Sequence, residues 1–348
     1  MIYMIAGGGT GGHIFPALAI GEALEAAEEG ACIVYVGTRY GMEKDLLPAR
    51  GKTLLTLPIR GFLGKSFLQK LDLLWRLPAS MLKSLWLLLR YRPKAVIGVG
   101  GYASAPLLWT AALLRIPTLI QEQNAFPGLA NRIGSRVARL ACLGFPEASA
   151  GLHCPTLVTG NPVRTDLTVT EWSPDRDLIL IMGGSQGAQS LNRDLPVMLK
   201  RAIGTDKQIR VLHQCGRAHV ENTRAAWGDT PFPVEVTPFI EDMSAIYNQA
   251  LLVICRAGAS TIAELKLLRV PAVLIPFPRA AHDHQTFNAR SLAATGAAMV
   301  ITENDLPQST DALRELLNQR RTLDNMAAAY PTTGVNAAQL CAEKIRAL

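Results

Sequence analysis

The chain opens with MIYMIAGGGTGGHIFPALAIGEAL (residues 1–24), and a second stretch of the same kind, LILIMGGSQGAQSLNRDL, runs from 178 to 195. In each, an apolar strand-like run gives way to glycines and then to a helical pattern. A turn of this kind points backbone N–H groups and a helix N-terminus at one spot, and the missing Cβ atoms let an anion's oxygens come close. One such loop suggests a nucleotide. Two, about half a chain apart, suggest two domains that each carry an anion cradle.

The remaining composition agrees with two domains. A chain of 348 residues exceeds what one hydrophobic core usually supports. Nearly half of it is apolar, which excludes disorder. Six scattered cysteines (32, 142, 154, 215, 255 and 341) form no Cys-x-x-Cys pair and no metal-ligand spacing. With an N-terminus that starts directly on a strand, this leads to the expectation of a reducing, cytosolic setting. The net charge of +7 is lopsided: residues 1–163 hold 16 Lys and Arg against 9 acids, whereas 164–348 hold 19 against 19. The N-terminal half is therefore expected to meet an anionic partner.

Strand-like runs at 2–6, 32–37, 95–99, 118–121, 178–182, 210–215, 251–255 and 272–276 alternate with helical patterns, so parallel sheets covered on both faces are expected. The polar stretch 168–177 separates the halves, giving an N-terminal domain 1–163 and a C-terminal domain 164–335, with a last helix 336–348 placed to return to the first domain. Residues 95–114 carry no charge over twenty positions, the length of a membrane span. Gly98, Gly100, Gly101, Tyr102, Ser104 and Pro106 interrupt the run, and a buried strand, a glycine turn and a helix start fit it better.

A nicotinamide-binding domain would also begin with strand, glycine turn and helix, but its fingerprint asks for GxGxxG and an acid ending the second strand. Here the spacing is Gly7-Gly8-Gly9-Thr10-Gly11-Gly12-His13 and the second strand ends at Thr38-Arg39. Neither loop has the lysine of a P-loop. No metal set emerges either: no further ligand group is evident to join His282, Asp283 and His284, and Asp175-Arg176-Asp177 precedes a strand instead of ending one. No cofactor is expected.

Six motifs occur in order: Gly-Gly-Thr-Gly-Gly-His-x-x-Pro-Ala-Leu-Ala (8–19), Gly-Gly-Tyr-x-Ser-x-Pro (100–106), Gln-Glu-Gln-Asn (121–124), Gly-Asn-Pro-Val-Arg (160–164), Gly-Gly-Ser-Gln-Gly-Ala (183–188) and Arg-Ala-Gly-Ala-Ser-Thr-x-x-Glu (256–264). On these the chain resembles the MurG family of bacterial glycosyltransferases, over its whole length. The resemblance implies an α/β GT-B fold, two Rossmann-like domains with parallel sheets facing across a cleft. It implies transfer of N-acetylglucosamine (GlcNAc) from UDP-GlcNAc to the 4-hydroxyl of undecaprenyl-pyrophosphate-linked MurNAc-pentapeptide, the lipid I to lipid II step of peptidoglycan synthesis. The C-terminal domain would take the donor and the N-terminal domain the acceptor. Both substrates contain a pyrophosphate, which suits two anion cradles.

The resemblance also assigns residues. Ser185 would contact the donor phosphate, though a serine there also suits a helix N-cap. Glu264 would accept the ribose hydroxyls, while Thr261-Ile262-Ala263-Glu264 also reads as a capping box. The backbone of Ile240 would read the uracil edge, with Met243 and Ala259 close to the base and Ser260, Thr261, Ile262 and Ala263 completing the donor motif. Gln285 would bind the sugar hydroxyls; His284 stands where some relatives carry a second glutamine, which leaves open which side chain does so. On the acceptor side Thr10, Gly11, Gly12, Tyr102, Asn124 and Arg164 are the expected contacts. Displacement at the anomeric carbon needs a base for the acceptor hydroxyl, and His13 and Glu122 are the two candidates.

Residues 60–94 hold eight Lys and Arg and one acid, Asp72, among leucines, Phe62, Phe67, Trp75 and Trp86. Such a segment suits an anionic membrane surface; an amphipathic core helix with a solvated basic side is the plainer alternative. The expected location is the cytoplasmic face of the cell membrane, as a peripheral protein. No recognition module for nucleic acid appears. The remaining alternatives are another GT-B enzyme of UDP sugars, such as an epimerase or a natural-product glycosyltransferase, and a non-catalytic sugar-nucleotide-binding subunit.

Overall fold

The computed structural model describes residues 1–60, 67–184, 186–205, 208–280, 283–331 and 336–348, with side chains resuming at 74 after the gap at 61–66. Ser185, Phe62 and His282 therefore lie outside the described residues, as do the side chains of Phe67 and Asp72. The chain divides into two units, Met1–Thr165 with Gly334–Leu348, and Asp166–Thr333.

In the first unit seven strands form one parallel sheet: β1 (Ile2–Ala6), β2 (Cys32–Thr38), β3 (Thr53–Leu57), β4 (Ala95–Gly98), β5 (Thr118–Glu122), β6 (Leu140–Leu143) and β7 (Thr156–Val158), in the order β3-β2-β1-β4-β5-β6-β7. The central strands are apolar on both faces because helices cover both, as parallel sheets require. One side is packed by Ile14, Leu18 and Leu24 of the helix Gly11–Ala27, together with Cys341, Ala342 and Ile345 of the helix Ala337–Arg346. The other is packed by Leu87 and Leu88 of the helix Phe67–Tyr91 and by Leu107, Leu108 and Ala111 of the helix Ser104–Leu113. The uncharged run 95–114 is thus a strand, a turn and a helix inside one domain. Among the described residues no helix is long and apolar enough to cross a membrane.

The second unit repeats the plan with β8 (Leu178–Met182), β9 (Arg210–Gln214), β10 (Val234–Thr237), β11 (Ala250–Cys255), β12 (Ala272–Leu274) and β13 (Ala298–Val300), ordered β10-β9-β8-β11-β12-β13 and all parallel. Strand order reverses between β1 and β4 in one sheet and between β8 and β11 in the other. At such a reversal neighbouring connections leave in opposite directions, opening a crevice beyond the carboxyl ends of the strands. Both glycine loops of the sequence leave the sheet there. Gly187 shows why the second loop needs its glycines: φ is +78° and an added Cβ would sit 1.8 Å from the Cys215 carbonyl oxygen.

Five strands were not foreseen. β3 is a partly exposed edge strand with two threonines, β6 reads Leu-Ala-Cys-Leu, β7 and β13 have three residues each, and β10 alternates weakly.

Candidate active site

In the first unit three loops meet beyond the strand ends. The loop after β1 leads into the helix Gly11–Ala27, with Thr10 as its N-cap in extended conformation and Gly11, Gly12 and His13 as its first three residues. Thr10 makes no side-chain cap, so its carbonyl does the local work, accepting the His13 and Ile14 amides at 3.1 and 3.3 Å. The N–H groups of a first turn have no carbonyl above them, and those of Gly11 and Gly12 have no backbone partner among the described residues. The loop after β4 carries Tyr102, and an added Cβ on Gly100 would come within 2.8 Å of the His13 ring. The loop after β5 brings up Gln123, whose side-chain oxygen lies 2.9 Å from His13 Nδ1.

Glu122 and His13 are placed in opposite ways. His13 is half-buried, whereas Glu122 is 1% exposed and its carboxylate is fully engaged. One oxygen accepts the backbone amide and side chain of Asn124 at 2.9 and 3.3 Å. The other accepts Gly128 N and Asn131 Nδ2 at 3.0 and 2.9 Å. A carboxylate holding four donors ties its loop together. Asn124, only partly buried, is held by it. Arg164 stacks its guanidinium 5.5 Å from the Phe15 ring centroid, on the same helix as His13.

Sequence reasoning missed Glu43. This carboxylate is fully buried, accepting Gly9 N at 2.8 Å with one oxygen and Thr38 N and Oγ1 at 2.9 and 2.8 Å with the other. It ties the first glycine loop to the end of β2. As an acid in the first turn of the helix Glu43–Ala49 it looks like an ordinary dipole partner, and nothing nearby in sequence reveals its partners.

In the second unit Gly258 is the N-cap of the helix Ala259–Leu268. That corrects the capping-box reading of 261–264: Thr261 is already the third helical residue, and Glu264 points elsewhere, accepting the Tyr247 hydroxyl at 2.8 Å. Ser260, in the first turn, has a buried hydroxyl without a protein partner among the described residues. Arg256 fixes the loop before it, bonding to Ser190 Oγ at 2.9 Å and the Ile275 and Pro276 carbonyls at 3.3 and 3.2 Å, and pairing with Glu303 at 2.5 Å. Asn288, of the helix His284–Ala293, donates to the Ala257 carbonyl at 3.3 Å. The helices Gln189–Ile203, Ala259–Leu268 and His284–Ala293 are thereby linked through the 256–258 loop.

Gln285 uses its carbonyl to accept Phe277 N at 2.9 Å, which leaves its NH2 group to donate. His284 is the first residue of that helix. Ile240 is 8% exposed, and its backbone makes no hydrogen bond to the described residues, although the loop around it is held by Asp242, which caps the Met243–Tyr247 helix through Ala245 N at 2.9 Å. No cluster of three metal-ligating side chains occurs among the described residues.

Comparison with known proteins gives a consistent result. Residues 3–142 match the glycosyltransferase family 28 N-terminal domain and residues 178–343 its C-terminal domain. A UDP-N-acetylglucosamine–N-acetylmuramyl-(pentapeptide) pyrophosphoryl-undecaprenol N-acetylglucosamine transferase from Syntrophotalea carbinolica is 42% identical over 343 residues, 97% of this chain and 96% of that protein. The crystal structure of Acinetobacter baumannii MurG superposes with a TM-score of 0.79 at 35% identity, covering 100% of this chain and 99% of that one. A kitacinnamycin glycotransferase, at 16% identity and a TM-score of 0.68 over 99% and 98% of the two chains, shares the fold alone. The chain belongs to the MurG family of N-acetylglucosamine transferases, built on the two-domain GT-B fold.

Proposed function

We propose that this chain moves GlcNAc from UDP-GlcNAc to the 4-hydroxyl of undecaprenyl-pyrophosphate-linked MurNAc-pentapeptide, by direct displacement that inverts the anomeric carbon and leaves a β1,4 linkage. The observation that carries the proposal is that each unit has a glycine loop and helix N-terminus at its own strand-order reversal, furnished differently. The first has an imidazole and no donor-sugar motif; the second has Ser260, Glu264 and Gln285 around a helix start.

In this reading the second unit holds the donor. The helix starts at 189 and 259, with Ser185 and the Ser260 hydroxyl, receive the pyrophosphate and stabilise the charge that develops on departing UDP. Tyr247 holds the Glu264 carboxylate where it accepts ribose hydroxyls. Ile240 offers its backbone to the uracil edge, flanked by Met243 and Ala259, and Thr261, Ile262 and Ala263 continue the turn beneath. Gln285, with an NH2 group to donate, reads the sugar hydroxyls in preference to His284.

The first unit holds the acceptor. Gly11 and Gly12 amides face its pyrophosphate, with Thr10, Tyr102, Asn124 and Arg164 around it. His13 takes the hydroxyl proton as the new C–O bond forms and the bond to UDP breaks; Glu122 keeps the loop in shape. No cofactor is required, because helix ends and backbone donors supply the positive potential.

The lipid tail of the acceptor places the reaction at the cytoplasmic face of the cell membrane. On the helix Phe67–Tyr91, Trp75, Leu82, Trp86 and Leu89 are 82, 69, 60 and 57% exposed at spacings that put them on one stripe, with Lys83 and Arg90 alongside. That stripe, within the basic segment 60–94, suits an anionic bilayer and not nucleic acid. Through its product the enzyme would serve wall growth, and hence cell shape, cell division and the cell cycle.

Incubating purified protein with UDP-GlcNAc and a lipid-pyrophosphate MurNAc-pentapeptide in detergent tests the proposal. Release of UDP with formation of the disaccharide lipid is expected, and UDP-N-acetylgalactosamine should react poorly. No UDP release under any detergent condition would overturn it.

A further inference from the structure

We propose that Gln123 is a positioning residue for His13, fixing which ring nitrogen carries the proton, and that Gln121 and Asn161 orient Gln123 for that purpose. The inference rests on the base role of His13 proposed above.

Among the described residues, the ring meets a protein group at one nitrogen: His13 Nδ1 lies 2.9 Å from Gln123 Oε1. Whether Nδ1 donates or accepts there depends on which end of the Gln123 amide faces it. Three acceptors surround the other end. Gln123 Nε2 donates to the Val99 carbonyl at 2.9 Å, to the Gln121 carbonyl at 3.2 Å and to the Gln121 side-chain oxygen. Turning the amide over would aim its oxygen at all three.

The Gln121 amide is itself oriented by a group of fixed polarity. The backbone carbonyl of Gln123 accepts Asn161 Nδ2 at 2.7 Å, so Asn161 turns its oxygen to Gln121 Nε2, 2.9 Å away, and Gln121 must present its own oxygen to Gln123. The loop of three amides is closed and dry, with Gln121, Gln123 and Asn161 exposed by 0, 2 and 7%. Buried amides in such a loop cannot turn singly without leaving donors and acceptors unpaired.

Gln123 therefore meets His13 with an acceptor, and Nδ1 must carry the hydrogen. The lone pair of the neutral ring then sits on Nε2, which makes no hydrogen bond to the described residues. Free imidazole side chains in water favour the opposite form, so the protein imposes this one, as partners of active-site histidines generally do. In the reaction the acceptor's O–H proton passes to Nε2 while its oxygen bonds to the anomeric carbon and the sugar–phosphate C–O bond gives its electron pair to UDP. The Nδ1 proton stays on the ring, donated to the Gln123 side-chain oxygen, which steadies the imidazolium. This role covers two motif segments, 121–124 and 160–164, of which the donor and acceptor contacts use only Asn124 and Arg164.

The test is nitrogen NMR of histidine-labelled full-length protein above the histidine titration range, with His13→Ala identifying the His13 signals among the six histidines. In wild type, Nδ1 should show the protonated shift and Nε2 the unprotonated one; the reverse pattern overturns the proposal whatever any variant does. In Gln123→Met the ring should move toward the Nε2–H form, with kcat reduced at least about tenfold and UDP-GlcNAc affinity within about twofold of wild type. Unchanged ring signals in that variant overturn the proposal. Changed signals with undiminished kcat would instead overturn the base role of His13 and leave the tautomer assignment standing.

Discussion

The buried carboxylate of Glu43 accepts the backbone N–H of Gly9 at 2.8 Å, joining residues 34 positions apart and fastening the first glycine loop to the end of β2 through Thr38. Removing it strands the two buried donors of Thr38 and the partly exposed N–H of Gly9. Glu43→Ala is expected to cost about 2–4 kcal/mol of stability, since each of the two orphaned buried donors costs about 1–3 kcal/mol. It should also raise the KM for the lipid acceptor while UDP-GlcNAc affinity stays unchanged. Urea unfolding and isothermal titration with UDP-GlcNAc separate the two effects.

Glu122 gives the complementary case. In Glu122→Gln either amide orientation sets an NH2 group against two donors, so a loss of about 2–4 kcal/mol in stability is expected. Under conditions where the variant is folded, its kcat should fall far less than that of His13→Ala. A soluble, stable Glu122→Gln protein devoid of turnover would return the base role to Glu122.

His213 supplies a pH dependence. Its Nδ1 accepts the Trp227 indole N–H at 3.1 Å and its Nε2 meets Asn192 Oδ1 at 3.0 Å, so both nitrogens are spent in the neutral form. Burial pushes its pKa down to about 4 from an ordinary 6.5. The unfolded chain then binds the proton more readily than the folded one, so stability is full above about pH 6.5 and is lost as pH falls toward 4. The contribution at stake is about 3 kcal/mol. Urea midpoints of wild type and His213→Gln measured from pH 7.5 to 4.5 should show a slope in the wild type that the variant flattens; equal slopes would refute it.

The stripe on the helix Phe67–Tyr91 leads to a prediction about membranes. Replacing both Trp75 and Trp86 by serine removes two large exposed apolar groups, each worth about 1.5–3 kcal/mol when buried. Binding to anionic vesicles should weaken at least about tenfold while the unfolding midpoint barely moves. Binding of the wild type should also weaken with added salt, because exposed charges are screened beyond a Debye length of about 10 Å at 0.1 M.

Much of this was legible in the sequence wherever the information is local. The apolar runs of the central strands, the glycine turns after β1, β4 and β8, and the helix starts that follow them all appear as contiguous patterns. What escaped depends on partners far apart in the chain. Glu43 is assigned by Gly9 and Thr38, and Gln123 by His13 on one side and Asn161 on the other. The start of the Ala259–Leu268 helix shows a different failure: Thr261 and Glu264 have the right spacing for a capping box, but the extended conformation sits at Gly258. The short strands β7 and β13 form because a neighbouring strand offers them a ladder, which no local pattern reports.

The most direct test of the division of labour between the two units is steady-state transfer by His13→Ala, with UDP-GlcNAc binding measured on the same sample. A base in the acceptor-binding unit predicts unchanged donor affinity and a kcat lower by at least about a hundredfold. Near-normal turnover, or loss of UDP-GlcNAc binding in place of turnover, would contradict it.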